Sequence, residues 1–482
     1  MKKLIALLLV LCTVFGLVAC GGKKPNANTD STTPTENKTG NVIITPETSP
    51  YKGKTLQIYG NGTAESFTNY ETFGKGNYIW MMRAAMDEWA AMNGVTLVFE
   101  GSYNQNALLA AMNSGANPDI IFATEQFPKS ANAGLIAAFT DDEYKKLADI
   151  CGEGYLDLMT YKTKSHGFVF PWSGNTMCYY NKTMFENYGV KTPKEYFMEG
   201  DWTWTNFQKC IEQMTKDVDS DGEIDTYGLP VDSLTWCRMV NDWKMDESGK
   251  LVSRIDEQMM QDFFQFKYDT ITVKKVIQNP GKHQIQKNVT YPMCAMQLSD
   301  CEPYNFEHMY QSIPNGDELE VVPVPAYDGS GEKKNFLQWT QACCSLAASA
   351  DEREAAVDLM AYLLQCGMKY VSDFSLGSVK CDYPGIQGTS ALSKQWKDAF
   401  AGVVAKRAAD KAELGETYDQ ALIDKIYASF EGAEWYTYQT FSGVSLLTSY
   451  SEITKLPPAS SIPAIKEKYQ AALDKFNSTY IK

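Results

Sequence analysis

The chain has 482 residues, 44% hydrophobic and 21% charged, with 44 Lys and Arg against 59 Asp and Glu, a formal net charge of −15. At roughly 150 residues per domain, this length implies two or three folding units. The acidic balance argues against nucleic acid, whose phosphates it would repel, and offers no basic patch to anionic lipid.

Lys2 and Lys3 precede a run of apolar or small residues from Leu4 to Val18. Such a run is short for a membrane span and marks an export signal. It ends in Leu17-Val18-Ala19-Cys20, which resembles the bacterial lipobox. That resemblance implies that residues 1–19 are removed and that Cys20 becomes the first residue, carrying a diacylglyceryl group. Residues 20–50 are rich in Gly, Lys, Pro, Asn, Thr and Ser, with apolar surface only at Val42, Ile43 and Ile44. They cannot bury enough to offset their ordering entropy, so a disordered tether of about 30 Å root-mean-square span is expected. The 12 Cys form no C-x-x-C pair. Cys178, Cys210, Cys294, Cys343 and Cys366 lie in apolar runs, where a reduced thiol behaves as a small buried hydrophobe.

Thr55–Tyr59 alternates as a strand does and runs into the turn Gly60-Asn61-Gly62. Tyr78–Met92 has helical periodicity, with Ile79, Met82, Met86 and Trp89 on one face. Val95–Phe99 reads as a second strand, Ala107–Met112 as a short helix and Pro118–Phe122 as a third strand. Alternation of this kind implies parallel crossovers and an α/β lobe. Phe168–Trp172 and Met177–Tyr180 are strand-like, and a helix is expected from Thr205 to Lys216. Val321–Pro325, with two prolines, suits an extended crossing between lobes. Periodic helices are expected near 351–365 and 462–477.

In this order the segments resemble the family 1 extracellular solute-binding proteins. Ser114-Gly115-Ala116-Asn117-Pro118-Asp119-Ile120 is similar to the family's SG-x-x-PDI element, and Gly134–Phe139 to the GLI-x-PL that follows it. Tyr180-Asn181-Lys182 with Phe185, Gly189 and Pro193 resembles YNK-x-x-F-x-x-x-G-x-x-x-P. Trp202–Phe207 resembles WTWDEF, Tyr227-Gly228-Leu229 resembles YGL, Ala295-Met296 resembles AM, and Val322–Pro325 resembles V-x-PLP. Near 339–346 the chain departs from the family, carrying Gln338-Trp339-Thr340-Gln341 where a Gly-Gly pair is usual. The resemblance implies a two-lobed, periplasmic-binding-protein-like α/β fold, each lobe a mostly parallel sheet flanked by helices, joined by a hinge. It places residues 51–170 and 326–372 in an N-terminal lobe and 171–325 and 373–482 in a C-terminal lobe. It further implies a monomeric, non-enzymatic binder that holds a carbohydrate, an oligosaccharide by expectation, in the cleft between the lobes and delivers it to the permease subunits of an ABC importer.

Ligands of open α/β sheets lie beyond the carboxyl ends of strands. That rule selects Asn61 and Glu65 after the first strand, Tyr103 after the second, and Glu125 and Gln126 after the third. It adds Trp172 and Asn175 by the first crossing, Trp236 after the Tyr227-Gly228-Leu229 strand, Asp300 and Tyr304 after Ala295-Met296, Trp339 on a late strand, and Trp435 with Tyr438 in a C-terminal aromatic cluster. Carboxylates and amides suit sugar hydroxyls, and aromatic faces suit the C–H side of the ring. Each Trp is equally at home in a core.

No organic cofactor is implied. Asp217, Asp219 and Asp221 alternate and are followed by Gly222, Glu223 and Asp225, the first half of a Ca²⁺ loop in which Glu223 would offer its carbonyl. The twelfth position is Gly228, so the usual bidentate Glu is missing and a structural ion or a solvated acidic turn are both open. The enzyme alternative is an exported glycosidase, which needs a carboxylate pair. Nothing in the chain singles such a pair out, there is no H-E-x-x-H, G-x-S-x-G or P-loop, and His166, His283 and His308 lack ligand spacing. A sensor or adhesin lipoprotein is a third reading.

Overall fold

The computed structural model describes residues 46–60, 69–70, 78–102, 105–123, 127–170, 175–230, 238–278, 295–301, 317–329, 331, 333–339, 343–375, 390–395, 398, 419–429, 433–437 and 456–480. The export signal, Cys20 and all of the tether but its last residues lie outside them. Among the described residues no helix is long and apolar enough to cross a membrane.

The first half builds β1 (Thr55–Gly60), α1 (Tyr78–Asn93), β2 (Thr96–Ser102), α2 (Gln105–Asn113), β3 (Ile120–Ala123), α3 (Phe127–Asn132) and α4 (Asp141–Cys151). The hairpin of β4 (Thr160–Tyr161) and β5 (Lys164–Ser165) then leads into β6 (Gly167–Val169). With β15 (Cys343–Leu346), these strands form a five-stranded sheet in the order β2-β1-β3-β15-β6. β1 is parallel to β2 and β3, and β15 is antiparallel to both β3 and β6. One strand in five therefore runs against the rest. The core of this lobe takes the α1 face predicted from periodicity, Ile79, Met82, Met86 and Trp89, together with the apolar face of α9 (Arg353–Ser375).

The second sheet contains β7 (Asn175–Asn181), β12 (Met296–Cys301), β13 (Leu319–Pro323), β14 (Phe336–Trp339) and β16 (Glu434–Thr437). β7 is antiparallel to β12, β13 and β14, while β14 and β16 are parallel. Again a single strand is reversed. Around this sheet pack α5 (Lys182–Tyr188), α6 (Pro193–Met198), α7 (Trp204–Met214), α8 (Gln258–Tyr268), α10 (Gln420–Ala428) and α11 (Pro458–Tyr480). Short strands β8 (Leu229–Pro230), β9 (Trp243–Met245), β10 (Leu251–Ser253) and β11 (Ile277–Gln278) pair off as β8 with β11 and β9 with β10. The two lobes thus each have a sheet and a core of their own.

The segments that resemble the family motifs act as scaffold. Asp119 is 3% exposed, and its carboxylate accepts the Gln57 N–H at 2.8 Å and the Glu352 N–H at 3.2 Å. It thereby ties β1 and the start of α9 to β3. Burial raises its pKa above the ordinary carboxylate range, and those two N–H donors oppose the shift. Asn181 caps α5 by accepting from the Met184 N–H at 2.8 Å, and Gly189 closes that helix in the left-handed conformation, φ 61°. Thr192 and Glu195 form a capping box with Pro193 in the first turn of α6. Trp202 is buried, with its ring N–H donated to the Pro323 carbonyl at 2.7 Å.

Three expectations are corrected. Residues 390–395, expected in the C-terminal lobe, belong to the first, where Leu392 is buried in the core and the Ser393 hydroxyl donates to Glu88 of α1. Val321–Pro325 does not cross between lobes. Its first three residues complete β13, which is buried throughout and paired with β7, and Pro323 stands at the strand's last position where a missing N–H costs little. The described residues of 326–339 likewise go to the second lobe, since Tyr327 and Phe336 are buried in its core. The expectation of buried, reduced thiols holds for Cys178, Cys210 and Cys366; Cys151 and Cys344 are also buried and in no disulfide. Burial pushes Cys210 up to about 12, which keeps it a thiol and unreactive. The side chains of Cys294 and Cys343 lie outside the described residues.

Replacing the cap by Asn181→Ala is expected to lower the unfolding free energy by about 1–2 kcal/mol, read from urea denaturation. A second expectation concerns acid. Burial alone would raise Glu143, but the Arg353 side chain and the Thr140 N–H outweigh it and hold the carboxyl below its usual value. A depressed folded value gives stability that is present above the unfolded Glu value of about 4.3 and lost as pH falls through the folded one. Arg353→Met should flatten that part of a melting-temperature profile, and an unchanged profile would refute the linkage.

Candidate ligand-binding site

The register of the strands locates the site. β1, β2, β3 and β6 bring the chain to one end of the first sheet, at Gly60, Ser102, Ala123 and Val169. At that end Cys343, the first residue of β15, pairs with Ala123 on one side and Val169 on the other. In the second sheet β12, β14 and β16 end at Cys301, Trp339 and Thr437. Asn175, the first residue of β7, pairs with Cys301 and with Trp339, and Trp339 pairs with Thr437.

Two stretches of chain connect these ends. Residues 170–174 lead from Val169 to Asn175, and 340–342 lead from Trp339 to Cys343. Val169 pairs with Cys343, and Asn175 pairs with Trp339. The two crossings therefore start side by side in one sheet and finish side by side in the other, the arrangement of a hinge.

Four predicted residues fall on described strands of the second sheet, Asn175, Asp300 and Trp339 at this end and Trp435 two residues before it. Asn175 and Trp339 are direct partners, Asp300 pairs with Thr176, and Trp435 stands opposite Leu337 on the adjacent strand. Asn61, Glu65, Tyr103, Glu125, Gln126, Trp172, Trp236, Tyr304 and Tyr438 lie outside the described residues. In sequence, Asn61 and Tyr103 directly follow the last residues of β1 and β2, and Glu125 follows β3 by two. Thr176 was not selected from sequence. It is fully buried, and its hydroxyl has no hydrogen-bond partner. Its place beside Asn175 was the available signal.

One edge of the second sheet is held by charge. The Arg254 side chain, 7% exposed, donates to Glu257 at 2.8 Å and to Glu434. Lys334 reaches the other Glu434 oxygen at 2.5 Å. Glu434 opens β16, so this cluster pins the strand that carries Trp435.

The acidic loop is closed by a Lys216–Thr226 bridge. Asp217, Asp219 and Asp225 can each aim one carboxylate oxygen so that all three lie within 4.8 Å of one another, the single such group among the described residues. Asp221 and Glu223 are exposed and stand outside this group. The Asp217 carboxylate accepts the N–H groups of Ser220 at 2.7 Å and Gly222 at 2.9 Å, and Asp225 accepts from Val218 at 2.6 Å. Ionised carboxylates have lone pairs left for a hard cation after such bonds.

Residues 84–366, more than half of the chain, match the family described as bacterial extracellular solute-binding protein. Among solved structures, the chain is similar to the cyclic α-maltosyl-1,6-maltose binding protein of Arthrobacter globiformis, at 15% identity and a TM-score of 0.52, over 87% of this chain and 99% of that one. It is also similar to CpMnBP1 with mannobiose bound, at 14% identity and a TM-score of 0.51, over 88% and 100%. UgpB of Mycobacterium tuberculosis in complex with glycerophosphocholine gives 12% identity and a TM-score of 0.50, over 87% and 98%. No curated protein matches by sequence. Identities this low speak to the shared two-lobed fold. With the family match covering four strands of each sheet and both crossings, the chain belongs to the bacterial extracellular solute-binding proteins and is a binding protein rather than an enzyme.

Proposed function

We propose that this protein captures a carbohydrate between its lobes and presents it to the permease subunits of an ABC importer, while a lipid on Cys20 keeps it at the outer face of the cell membrane. The observation that carries the reading is the pair of adjacent crossings with Asn175, Asp300 and Trp339 at the sheet end beside them and Trp435 two residues back on β16. An amide, a carboxylate and two indoles are the side-chain types that pair with hydroxyls and cover sugar C–H faces. Two of the similar structures hold or are named for sugars. A ligand touching both lobes stabilises the closed arrangement by its differential affinity. The protein acts as a monomer, and the tether lets it range close to the membrane without leaving it.

A thermal-shift screen against a carbohydrate library tests this. A specific sugar at 100 times its Kd should stabilise the fold by about 2.7 kcal/mol. Trp339→Ala should abolish that shift with the unliganded melting temperature little changed, and recovered sugar should be chemically intact. A library without a stabilising sugar would sink the reading. For the anchor, Cys20→Ala is expected to release the protein from the membrane fraction into the medium.

The acidic loop is proposed to hold a structural Ca²⁺ through Asp217, Asp219 and Asp225. Calorimetry should show Ca²⁺ binding to the protein and none to Asp217→Asn, and chelator should lower the melting temperature of the former alone. Absence of heat with the unaltered protein would dismiss the ion.

A further inference from the structure

The lobes also touch through elements other than the two crossings. In the first lobe, the β4–β5 hairpin turns through Lys162 and Thr163, with φ of 48° and 70°. Two left-handed residues in a two-residue connection give the tight turn whose twist suits a hairpin. Tyr161, 5% exposed, fastens this tip to α3 by donating its hydroxyl to Asn132 Oδ1 at 2.9 Å. The Lys162 ammonium lies 5.1 Å from the Tyr161 ring centroid, so the lysine stem lies folded near that ring.

In the second lobe, β9 and β10 are joined by the turn Asp246–Lys250. The Asp246 carboxylate accepts the N–H groups of Ser248 and Lys250, each at 2.9 Å. Asn477 of α11 grips the start of β10, accepting the Leu251 N–H at 3.0 Å and donating to the Leu251 carbonyl at 2.8 Å. This tip is as firmly built as the other.

Gly249 shows that the tips meet. Its neighbours Glu247, Ser248 and Lys250 are exposed, yet Gly249 is buried. A Cβ at this position would stand 2.9 Å from Lys162 Cγ and 3.0 Å from Tyr161 Cε2. Glycine is thus required twice, by φ of 82° and by the approach of the other lobe. Beside the tips, α11 of the second lobe packs on α3 of the first.

We propose that the Lys162–Tyr161 tip and Gly249 form a second inter-lobe contact that sets the resting balance between lobe arrangements. They are then positioning residues for ligand capture, acting without touching the ligand. The step rests on the reading that the protein works by lobe closure. Two rigid tips meeting at van der Waals distance cannot both keep this contact and allow free rotation about the crossings. The contact therefore contributes to one arrangement more than to the other. Because apparent affinity scales with the populated fraction of the competent arrangement, a change at the tips changes affinity from a distance.

The test needs no ligand. Spin labels at Lys145→Cys on α4 and Lys475→Cys on α11, both exposed, report the lobe-to-lobe distance by pulsed electron resonance, and the described native thiols are all buried. Lys162→Asn removes the stem that covers Gly249 and keeps a residue tolerant of positive φ. It should shift the main distance by more than about 2 Å, the scale of a domain rearrangement, or open a second population. Lys250→Ala, at an exposed neighbour in the same turn, should leave the distribution as it was. An unchanged distribution in Lys162→Asn overturns the proposal, as does an equal shift in Lys250→Ala. A sugar screen without a stabilising ligand would fail the proposed function alone, since this distance is measured on the unliganded chain.

Discussion

The pairing of the two crossings governs the rest of the architecture. A chain that rises through parallel strands reaches the next sheet at the end it has just climbed to, so the first strand it makes there must descend. That is why the reversed strand is β7 in one sheet and β15 in the other. Each is the strand that receives a crossing, and each pairs with the strand from which the other crossing leaves: β7 with β14, β15 with β6. The ascending strands of both sheets consequently finish at the crossings, and side chains from distant parts of the sequence arrive at one place without any local signal linking them.

Holding that place still is a separate task, and the second lobe does it with charge. β16 is a strand of four residues, paired on one side only among the described residues. A short strand of this kind frays unless something covers or clamps it. The clamp is Glu434, shared between Arg254 and Lys334 and set in register with the buried Phe336. The Arg254 guanidinium carbon lies 5.8 Å from that ring's centroid, so packing and charge act on the same residue. In the first lobe the comparable work falls to Asp119, whose two accepted N–H groups join β1 and α9 across more than two hundred residues of sequence.

The helices and parallel strands were legible because their signals are local. Periodicity located α1 to within a residue, and the caps at Asn181, Gly189 and Thr192 sit where their chemistry requires. The last two long helices were found but drawn short, since α9 continues to Ser375 and α11 starts at Pro458. Val321–Pro325 was misread because two prolines in an apolar run look the same whether they end a buried strand or bridge two lobes. The distinction lies in a partner, β7, more than 130 residues earlier. The meeting of Gly249 with Lys162 was illegible for the same reason: a glycine in a polar turn already has a sufficient local explanation.

The segments that resembled a family and the residues proposed to meet a ligand are different sets. Asp119, Asn181, Gly189 and Trp202 cap, clamp and pack, tasks that any member of the fold must solve whatever it binds. Asn175, Asp300, Trp339 and Trp435, the residues proposed to meet a ligand, lie on strands held by backbone pairing, which leaves the choice of side chain open. Scaffold demands constrain sequence through hydrogen-bond geometry and close packing, so they recur in recognisable form. Ligand demands constrain only the surface that the scaffold presents. A chain of this kind declares how it is built before it declares what it holds.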